Sequence, residues 1–265
     1  MKTPIEIIAD AYSEFNPVRV FALFSGGHDS LCSTSIASTF RHFDGVIHID
    51  TGIGLKETRC FVEETCSKRG WKLFVVGPQC GTYEKIVKRT GFPGPATHGV
   101  IYRQLKDTPL RAFARSFIGA SDDTVLLVSG IRRSESRKRK DKAQAVKKDG
   151  QIVWCSPIIE WSTRDCQEWI LDRGLDANPV VQLLHKSGEC LCGAFAKKGE
   201  LEELELWYPE AALRLKNLEG EILNKYPWRW GRRPPDWWMQ EKKGQLPLFD
   251  REEFLCWSCT KNGDD

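Results

Sequence analysis

The stretch Ser25-Gly26-Gly27-His28-Asp29-Ser30 directly follows the apolar run Val18–Phe24. The run predicts a β-strand, and the six residues predict a turn that opens a helix from about Asp29 to Phe40. A helix N-terminus presents unpaired backbone N–H groups and the positive end of the helix dipole, and paired glycines let an anion approach the backbone closely. The hydroxyl groups of Ser25 and Ser30 can add hydrogen bonds to phosphate oxygens. The stretch therefore predicts a phosphate-binding loop, with an ordinary turn that caps the helix as the alternative.

Strand-like and helix-like segments alternate along the first two thirds of the chain. Apolar runs predict further strands at residues 45–50, 72–76 and 124–129, and Lys56–Arg69 has the pattern of a helix. The run at 124–129 is apolar almost throughout, which is typical of a strand buried on both faces of a parallel sheet. This alternation predicts an α/β fold built on a doubly wound parallel sheet.

The parallel pattern fades after Trp154, and the rest of the chain reads as helical. Ser162 or Thr163 can cap a helix that runs to about Asp172, and further helices are predicted around 201–207 and 210–225. We therefore expect an α/β nucleotide-binding domain over residues 1–185. A small helical, cysteine-containing region over residues 186–265 is expected to pack against it.

The composition is that of a soluble globular protein. Of 265 residues, 41% are hydrophobic and 28% are charged, and no apolar run approaches the ~18 residues of a membrane span. Acidic residues interrupt the first ten residues, so no secretory leader is predicted. These features predict a cytoplasmic protein with no membrane partner, while the net charge of +3 favours no class of partner.

Ten cysteines in a reducing compartment indicate metal binding or catalysis rather than disulfides. Cys190-Leu191-Cys192 and Cys256-Trp257-Ser258-Cys259 form two closely spaced pairs. Four thiolates suit a structural Zn²⁺ ion or an iron–sulfur cluster, and spacing does not decide between them. The other six cysteines are predicted to be core residues, with a persulfide carrier among them as the alternative; they are Cys32, Cys60, Cys66, Cys80, Cys155 and Cys166.

Five motifs in order resemble the phosphoadenosine-phosphosulfate (PAPS) reductase family, over roughly residues 18–195. The first, residues 25–30, resembles the PP-loop of ATP pyrophosphatases, Ser-Gly-Gly-x-Asp-Ser. The others are Asp50-Thr51-Gly52 with Glu57-Thr58, Lys106-Asp107-Thr108-Pro109-Leu110, Gly130-Ile131-Arg132-Arg133-Ser134-Glu135-Ser136, and Pro157–Trp161 with Asn178-Pro179.

The resemblance implies a set of site residues. The pyrophosphate of ATP would be held by Ser25, Gly26, Gly27, Asp29 and Ser30. Asp29 and Asp50 are the expected acids near a Mg²⁺ ion that neutralises it. Gly130, Arg132 and Arg133 lie in the loop that faces the nucleotide in relatives, and the two arginines would stabilise charge as the α–β bond breaks. The cluster-bearing relatives favour a 4Fe–4S cluster over zinc on Cys190, Cys192, Cys256 and Cys259.

Two departures separate the chain from true sulfonucleotide reductases. Their PP-loop is typically eroded, whereas the motif at residues 25–30 is complete, and their C-terminal Glu-Cys-Gly-x-His motif is absent from this sequence. The place where adenylylsulfate reductases carry a Cys-Cys pair holds His98–Tyr102 instead. All of these differences favour an ATP-activating relative.

The predicted function is an ATP pyrophosphatase, forming AMP and pyrophosphate, that activates an acceptor for sulfur incorporation. A nucleic acid is the expected acceptor, as in DNA phosphorothioation, with a cysteine desulfurase as the sulfur donor; thiolation of tRNA is the neighbouring possibility. The alternatives are a PAPS or adenylylsulfate reductase and a nucleotide-sensing module with a structural zinc.

Two stretches could contact nucleic acid. Residues 132–142 carry seven basic residues against two acids, which also fits a solvated loop. Residues 228–238 mix tryptophans with arginines, as nucleic-acid surfaces do, although packing of the tail on the core explains the tryptophans equally well.

Overall fold

The computed structural model describes residues 2–135 and 143–241. Its centre is a six-stranded sheet with strand order β3-β2-β1-β4-β6-β5, parallel except for the antiparallel edge pair β5–β6. The strands are β1 Arg19–Leu23, β2 Gly45–Ile49, β3 Leu73–Val76, β4 Val125–Val128, β5 Val146–Asp149 and β6 Ile152–Cys155.

The strand order reverses between β1 and β4, which are hydrogen-bonded neighbours at the centre of the sheet. The chain leaves β1 toward β2 on one side and leaves β4 toward β6 on the other. Such a switch point opens a crevice at the carboxyl ends of the two strands, and this is where doubly wound sheets bind ligands. Residues 25–30 and the loop after β4 both begin there.

Eleven helices with α-helical geometry surround the sheet within the described residues. They are α1 Pro4–Phe15, α2 His28–Ala37, α3 Lys56–Arg69, α4 Thr82–Thr90, α5 His98–Tyr102, α6 Thr108–Arg115, α7 Thr163–Asp172, α8 Pro179–Leu184, α9 Glu200–Trp207, α10 Pro209–Ile222 and α11 Asp236–Glu241. A π-helical turn, Arg103–Asp107, joins α5 to α6, and a short 3-10 turn spans Arg133–Glu135.

Alternate side chains of the strands enter two separate cores. On one face, Val20 and Leu126 pack with residues of α1, α2, α3 and α7. On the other face, Phe21 and Leu127 pack with Leu110 and other residues of α6. This alternation across buried strands is what the apolar runs predict, because successive side chains of a strand point to opposite faces. The α/β fold with a doubly wound, mostly parallel sheet is confirmed.

A third core lies between the loop after β2 and the helical C-terminal part of the chain. It joins Ile53 and Leu55 to α4, to the π-helical turn and to buried residues of α8, α9 and α10, including Leu184, Leu204 and Leu215. The predicted helical, cysteine-containing C-terminal region is therefore present and is packed on the α/β part. No described helix is both long and apolar enough to cross a membrane.

Some local predictions need correction. Helix α2 ends at Ala37 rather than near Phe40, since residues 38–40 tighten into a turn in which the Phe40 N–H donates to the Ala37 carbonyl. Helix α1 was not predicted, although Thr3 and Glu6 form a capping box with a proline at the first helical position. The β5–β6 hairpin was also missed; Gly150 turns it with a φ of 60°.

Candidate functional site

The phosphate loop, residues 25–30, connects β1 to α2 as predicted. Gly26 has a φ of 80°, which favours glycine, and a Cβ there would lie 2.9 Å from Thr58 Cγ2. Gly27 is the N-cap of α2 and offers no side-chain cap to the first turn. The loop therefore leaves the N–H groups of that turn to an outside acceptor, which is the arrangement that binds phosphate.

Two serine hydroxyls close the phosphate loop. The hydroxyls of Ser25 and Ser30 are 3.0 Å apart, and the Ser25 N–H donates to Ser30 Oγ at 3.2 Å. Ser30 also donates to the Gly27 carbonyl at 2.9 Å. The hydroxyls thus hold the loop in shape and lie beside the anion-accepting turn.

Asn178 is a loop contact that the sequence reasoning did not assign to the site. Its side-chain amide donates to the Gly26 carbonyl at 3.0 Å, and its Oδ1 accepts from the Val180 N–H as the cap of α8. The residue is 1% exposed. An Asn-Pro pair at a helix start signals the cap, but nothing in that pattern indicates the contact with a loop 152 positions away.

Gly130, at the end of β4, packs directly on the first turn of α2. A Cβ at this position would lie 2.5 Å from the Asp29 carbonyl carbon and 2.7 Å from the Ser30 nitrogen. Only a glycine lets these two backbones meet, because the atoms in the way are main-chain atoms. The structure therefore places Gly130 as the support of the phosphate loop; its predicted contact with a nucleotide stays a prediction.

The two predicted arginines have different surroundings. Arg132 is buried and its Nε lies 2.9 Å from Asp29 Oδ2, so this cation and this acid meet at the phosphate loop. Arg133 instead pairs its Nε with Glu160 Oε1 at 2.8 Å, and both side chains are partly exposed. The structure thus brings Arg132 to the loop and directs Arg133 toward Glu160.

Asp50 lies just after β2 and has a cation of its own. Its Oδ2 is 2.6 Å from Arg59 Nη1, and its Oδ1 accepts from the Gly52 N–H at 2.9 Å. Within residues 2–135 and 143–241, no three His, Cys, Asp or Glu side chains form a group that could hold a metal ion. A Mg²⁺ ion at this site would therefore draw most of its ligands from phosphate oxygens and water, as Mg²⁺ commonly does.

The cysteine loop, which we define as residues 187–192, packs against the segment that follows Asp50. Thr51 Oγ1 donates to the Glu189 carbonyl at 2.7 Å, and the Leu55 N–H donates to the Gly188 carbonyl at 2.8 Å. Thr58 donates to the Ser187 carbonyl. A Cβ on Gly27 would lie 3.6 Å from Ser187 Cβ, so the cysteine loop borders the phosphate loop.

A largely buried ion pair holds the cysteine loop from the other side. Lys106 Nζ lies 2.8 Å from Glu189 Oε2, with side-chain exposures of 15% and 11%. Lys106 belongs to the π-helical turn, whose last two residues are the first two of the Lys-x-x-Pro-Leu motif. Such turns are frequent at functional sites, and this one aims a lysine at the residue preceding Cys190.

The two cysteines of the loop are close to each other and partly shielded. A hydrogen bond with the Cys192 thiol lowers the pKa of Cys190 to about 7; the Lys106 charge also lowers it, while burial opposes the shift. The carbonyl of Cys192 accepts from the Tyr83 hydroxyl at 2.9 Å. Cys190 and Cys192 therefore offer a metal two sulfur atoms that lie close together. Cys256 and Cys259, the other two predicted ligands, lie outside the described residues.

The remaining cysteines divide into two groups. Cys32, Cys66, Cys155 and Cys166 are buried as predicted. Burial raises the pKa of Cys66 and of Cys155 to about 12. The core prediction is wrong for Cys60 and Cys80, which are exposed because one lies on the outer side of α3 and the other in the loop after β3.

The aromatic stretch at residues 228–238 is partly core and partly surface. Trp228 and Trp230 are 4% and 3% exposed, and their indole N–H groups donate to the carbonyls of Phe92 and Leu191. Trp237 is 55% exposed. Packing explains the first two tryptophans. Of the basic run at 132–142, residues 136–142 lie outside the described residues.

Residues 19–188 match the family described as the phosphoadenosine phosphosulfate reductase domain. The chain belongs to this family. The matched range includes the sheet, the phosphate loop and the first residues of the cysteine loop.

Other proteins resemble the chain to different extents. An uncharacterized protein of Methanocaldococcus jannaschii is 28% identical over 222 residues, which cover 80% of this chain and 52% of that protein. The chain thus spans about half the length of this relative. The structure of PAPS reductase from Candida auris in a phosphate complex superposes with a TM-score of 0.53 at 17% identity, over 69% of this chain and 85% of that one. This likeness confirms the fold.

The U34-tRNA thiolase NcsA from Methanococcus maripaludis, solved with its [4Fe-4S] cluster, has a TM-score of 0.44 at 12% identity. The alignment covers 94% of this chain and 90% of that one.

Proposed function

We propose that this member of the PAPS reductase family is an ATP pyrophosphatase that activates an acceptor for sulfur incorporation. The observation that carries the proposal is the complete phosphate loop with the cysteine loop against it. Gly27 leaves the first turn of α2 without a side-chain cap, and Ser187 lies beside that glycine. The loop that carries the pair of thiols therefore borders the proposed site for the triphosphate tail of a nucleotide.

The proposed chemistry uses ATP, the acceptor, a sulfur donor and a thiol reductant. An acceptor oxygen attacks the α-phosphorus of ATP, the bond between that phosphorus and the α–β bridging oxygen breaks, and pyrophosphate leaves. Hydrosulfide then displaces AMP from the activated acceptor. Where the donor supplies a persulfide, two thiols reduce it to hydrosulfide and form a disulfide. The phosphate loop binds the leaving pyrophosphate. Arg132, a buried cation, forms an ion pair with Asp29 of this loop. Fixed cations and N–H groups favour this step because charge accumulates on the leaving group.

The finer features of the proposal follow the family motifs. We propose a nucleic acid as the acceptor, as in DNA phosphorothioation or tRNA thiolation, and a cysteine desulfurase as the sulfur donor in a cytoplasmic setting. Cys190 and Cys192 would contribute two ligands to a 4Fe–4S cluster, or to Zn²⁺ as the alternative, with Cys256 and Cys259 as the other two. When bound, a cluster would hold or transfer sulfide.

The first test is calorimetric titration of anaerobic protein with Mg²⁺–ATP and, separately, with PAPS. We expect ATP to bind and PAPS to bind far more weakly. Ser30→Ala should weaken ATP binding at least about tenfold, because it removes a hydroxyl of the phosphate loop. Ser38→Ala is the matched control: its hydroxyl donates to the Ser35 carbonyl after the other end of α2 and is remote from the loop.

The opposite outcome would support the alternative function, that of a sulfonucleotide reductase. Tight PAPS binding without ATP binding would make the protein a sulfonucleotide reductase, which the family description and the likeness to a PAPS reductase structure favour. Release of pyrophosphate from ATP in the presence of an acceptor would then be absent in the wild-type protein.

A further inference from the structure

Two segments that are distant in sequence meet beside the cysteine loop. The Trp230 indole N–H donates to the Leu191 carbonyl at 2.8 Å, and a Cβ on Gly193 would lie 2.7 Å from the same indole nitrogen. One residue further on, a Cβ on Gly231 would lie 2.8 Å from Ala196 Cβ. Residues 193–199 and 229–237 therefore pack against each other next to Cys192, and we treat the exposed side chains of the two segments together as one surface.

This surface is basic. The two segments contain five basic residues and a single acid, Asp236. All five cations are exposed, and none forms a salt bridge with the described residues; they are Lys197, Lys198, Arg229, Arg232 and Arg233. Trp228 and Trp230 explain the exposure of the arginines, because their buried rings anchor the segment and leave the intervening side chains on the outer side.

An exposed aromatic ring borders the same surface. Trp237 is 55% exposed, while its neighbour Trp238 packs against the rings of Trp228 and Tyr226, with centroids 4.7 and 6.2 Å away. Because the indole of Trp238 packs inward, the indole of the preceding residue, Trp237, is turned outward. Exposed cations beside an exposed indole are the combination with which proteins bind single-stranded nucleic acid, through phosphate charges and base stacking.

We propose that the basic surface formed by residues 193–199 and 229–237 binds a single-stranded polynucleotide and presents it to the cysteine loop. The cations contact backbone phosphates and Trp237 stacks on a base. The inference rests on the proposed function, since it names where its nucleic-acid acceptor docks. It also distinguishes the surface from the phosphate loop, which serves the nucleotide.

The test measures fluorescence anisotropy of labelled single-stranded oligonucleotides of roughly 20 nucleotides, one of DNA and one of RNA, with the full-length protein. The double variant Arg232→Glu/Arg233→Glu should weaken binding at least about tenfold near 50 mM salt. It should also reduce the slope of log affinity against log salt by roughly 1.4, which is about 0.7 for each lost phosphate contact. Trp237→Ala should weaken binding about fivefold or more and leave the salt slope unchanged.

A charge-matched control distinguishes binding at this surface from a general electrostatic attraction between the protein and the oligonucleotide. Lys147→Glu/Lys148→Glu makes the same change in net charge on two exposed lysines of β5, at the edge of the sheet. We expect it to weaken binding less than threefold. Equal effects of the two double variants, or no binding of either oligonucleotide by the wild-type protein, would overturn the proposal.

Mg²⁺–ATP binding is measured on the same proteins by calorimetry. Unchanged ATP binding in Arg232→Glu/Arg233→Glu shows that the variant is folded and that its defect concerns the polynucleotide. If the wild-type protein binds no ATP while the oligonucleotide results hold, the proposed pyrophosphatase fails and the docking surface stands. Preference for the DNA or the RNA probe then indicates which acceptor to test.

Discussion

The phosphate loop and the cysteine loop lie side by side but are held in different ways. The serine contacts that close the phosphate loop join residues at most five positions apart, such as Ser25 and Ser30. The cysteine loop is held by bonds that span much longer separations: 138 positions from Thr51 to Glu189 and 83 from Lys106 to Glu189. The phosphate loop is thus closed by contacts within its own sequence and supported from elsewhere by Asn178 and Gly130. The contacts that hold the cysteine loop all come from distant parts of the chain.

This difference decides what a substitution does in each place. Damage within the phosphate loop should change ligand binding with a limited effect on folding elsewhere. Damage to the contacts of the cysteine loop should separate the C-terminal helical region from the α/β part. It should therefore appear first as lost stability.

The largest effect is expected at the largely buried ion pair of the cysteine loop. Lys106→Met should lower the free energy of unfolding by about 3 kcal/mol, because it leaves the Glu189 carboxylate largely buried without its cation. Lys56→Met is the matched control: its partner Glu210 and the lysine itself are largely exposed, so a change below about 1 kcal/mol is expected. Urea denaturation measures both. Similar losses in the two variants would show that Lys106 does not hold the loop.

A second variant sharpens the comparison from the side of the phosphate loop. Gly130→Ala would place a methyl group against the backbone of Asp29 and Ser30, which should cost about 2 kcal/mol of stability and displace the first turn of α2. The affinity for Mg²⁺–ATP should fall by more than the loss of folding stability alone would cause. Gly220→Ala is the control, since a Cβ at this exposed position of α10 meets nothing and should stabilise the helix by about 1 kcal/mol. If Gly130→Ala bound Mg²⁺–ATP and melted like the wild-type protein, Gly130 would not be the support of the phosphate loop.

The same contrast explains what could be predicted from the sequence. The strand, the glycine turn and the start of α2 follow from a few consecutive residues, and so does the Ser162 cap of α7, which forms a capping box with Asp165. The attachment of the cysteine loop to Thr51 and the contact of Asn178 with Gly26 depend on residues brought together by folding. No local pattern encodes such pairs.

The same reason explains why two residues of the predicted site, Arg132 and Arg133, have different partners in the structure. Arg132 and Arg133 are equivalent as sequence, since both follow a strand and a glycine. The 3-10 turn that begins at Arg133 sends them apart, one toward Asp29 and the other toward Glu160. Which of two adjacent arginines is buried depends on the packing of α7 and the loop before it, and a motif does not contain that information.

These two arginines provide the third test. Arg132→Gln should cost about 2 kcal/mol, because Arg132 is buried and its removal leaves Asp29 without its cation. Arg133→Gln should cost less than about 1 kcal/mol, since its pair with Glu160 is partly exposed. Chemical denaturation compares the variants directly. Equal costs would mean that the environment of Arg133 is as buried as that of Arg132.

The smallest expected effect comes from removing one hydrogen bond, either a long-range bond or a bond within a turn. Thr51→Val removes a hydroxyl that donates to the Glu189 carbonyl at 2.7 Å across the two parts of the structure, and Thr39→Val removes one that donates to Ile36 at 2.8 Å within a turn. Thr51 is 1% exposed, so its loss should cost about 1 kcal/mol, whereas exposed Thr39 should cost less than about 0.5 kcal/mol because water replaces the bond.

Hydrogen exchange locates the effect of these two substitutions. The Leu191 N–H donates to the Ile53 carbonyl at 3.3 Å, so its protection reports whether the cysteine loop opens. Thr51→Val should accelerate its exchange by about fivefold, the factor that corresponds to about 1 kcal/mol of local stability, and Thr39→Val should leave it unchanged. Faster exchange in both variants would mean that the cysteine loop opens only with global unfolding. In that case the two loops would share one cooperative unit, and the distinction between local and long-range attachment would describe their contacts but not their energetics.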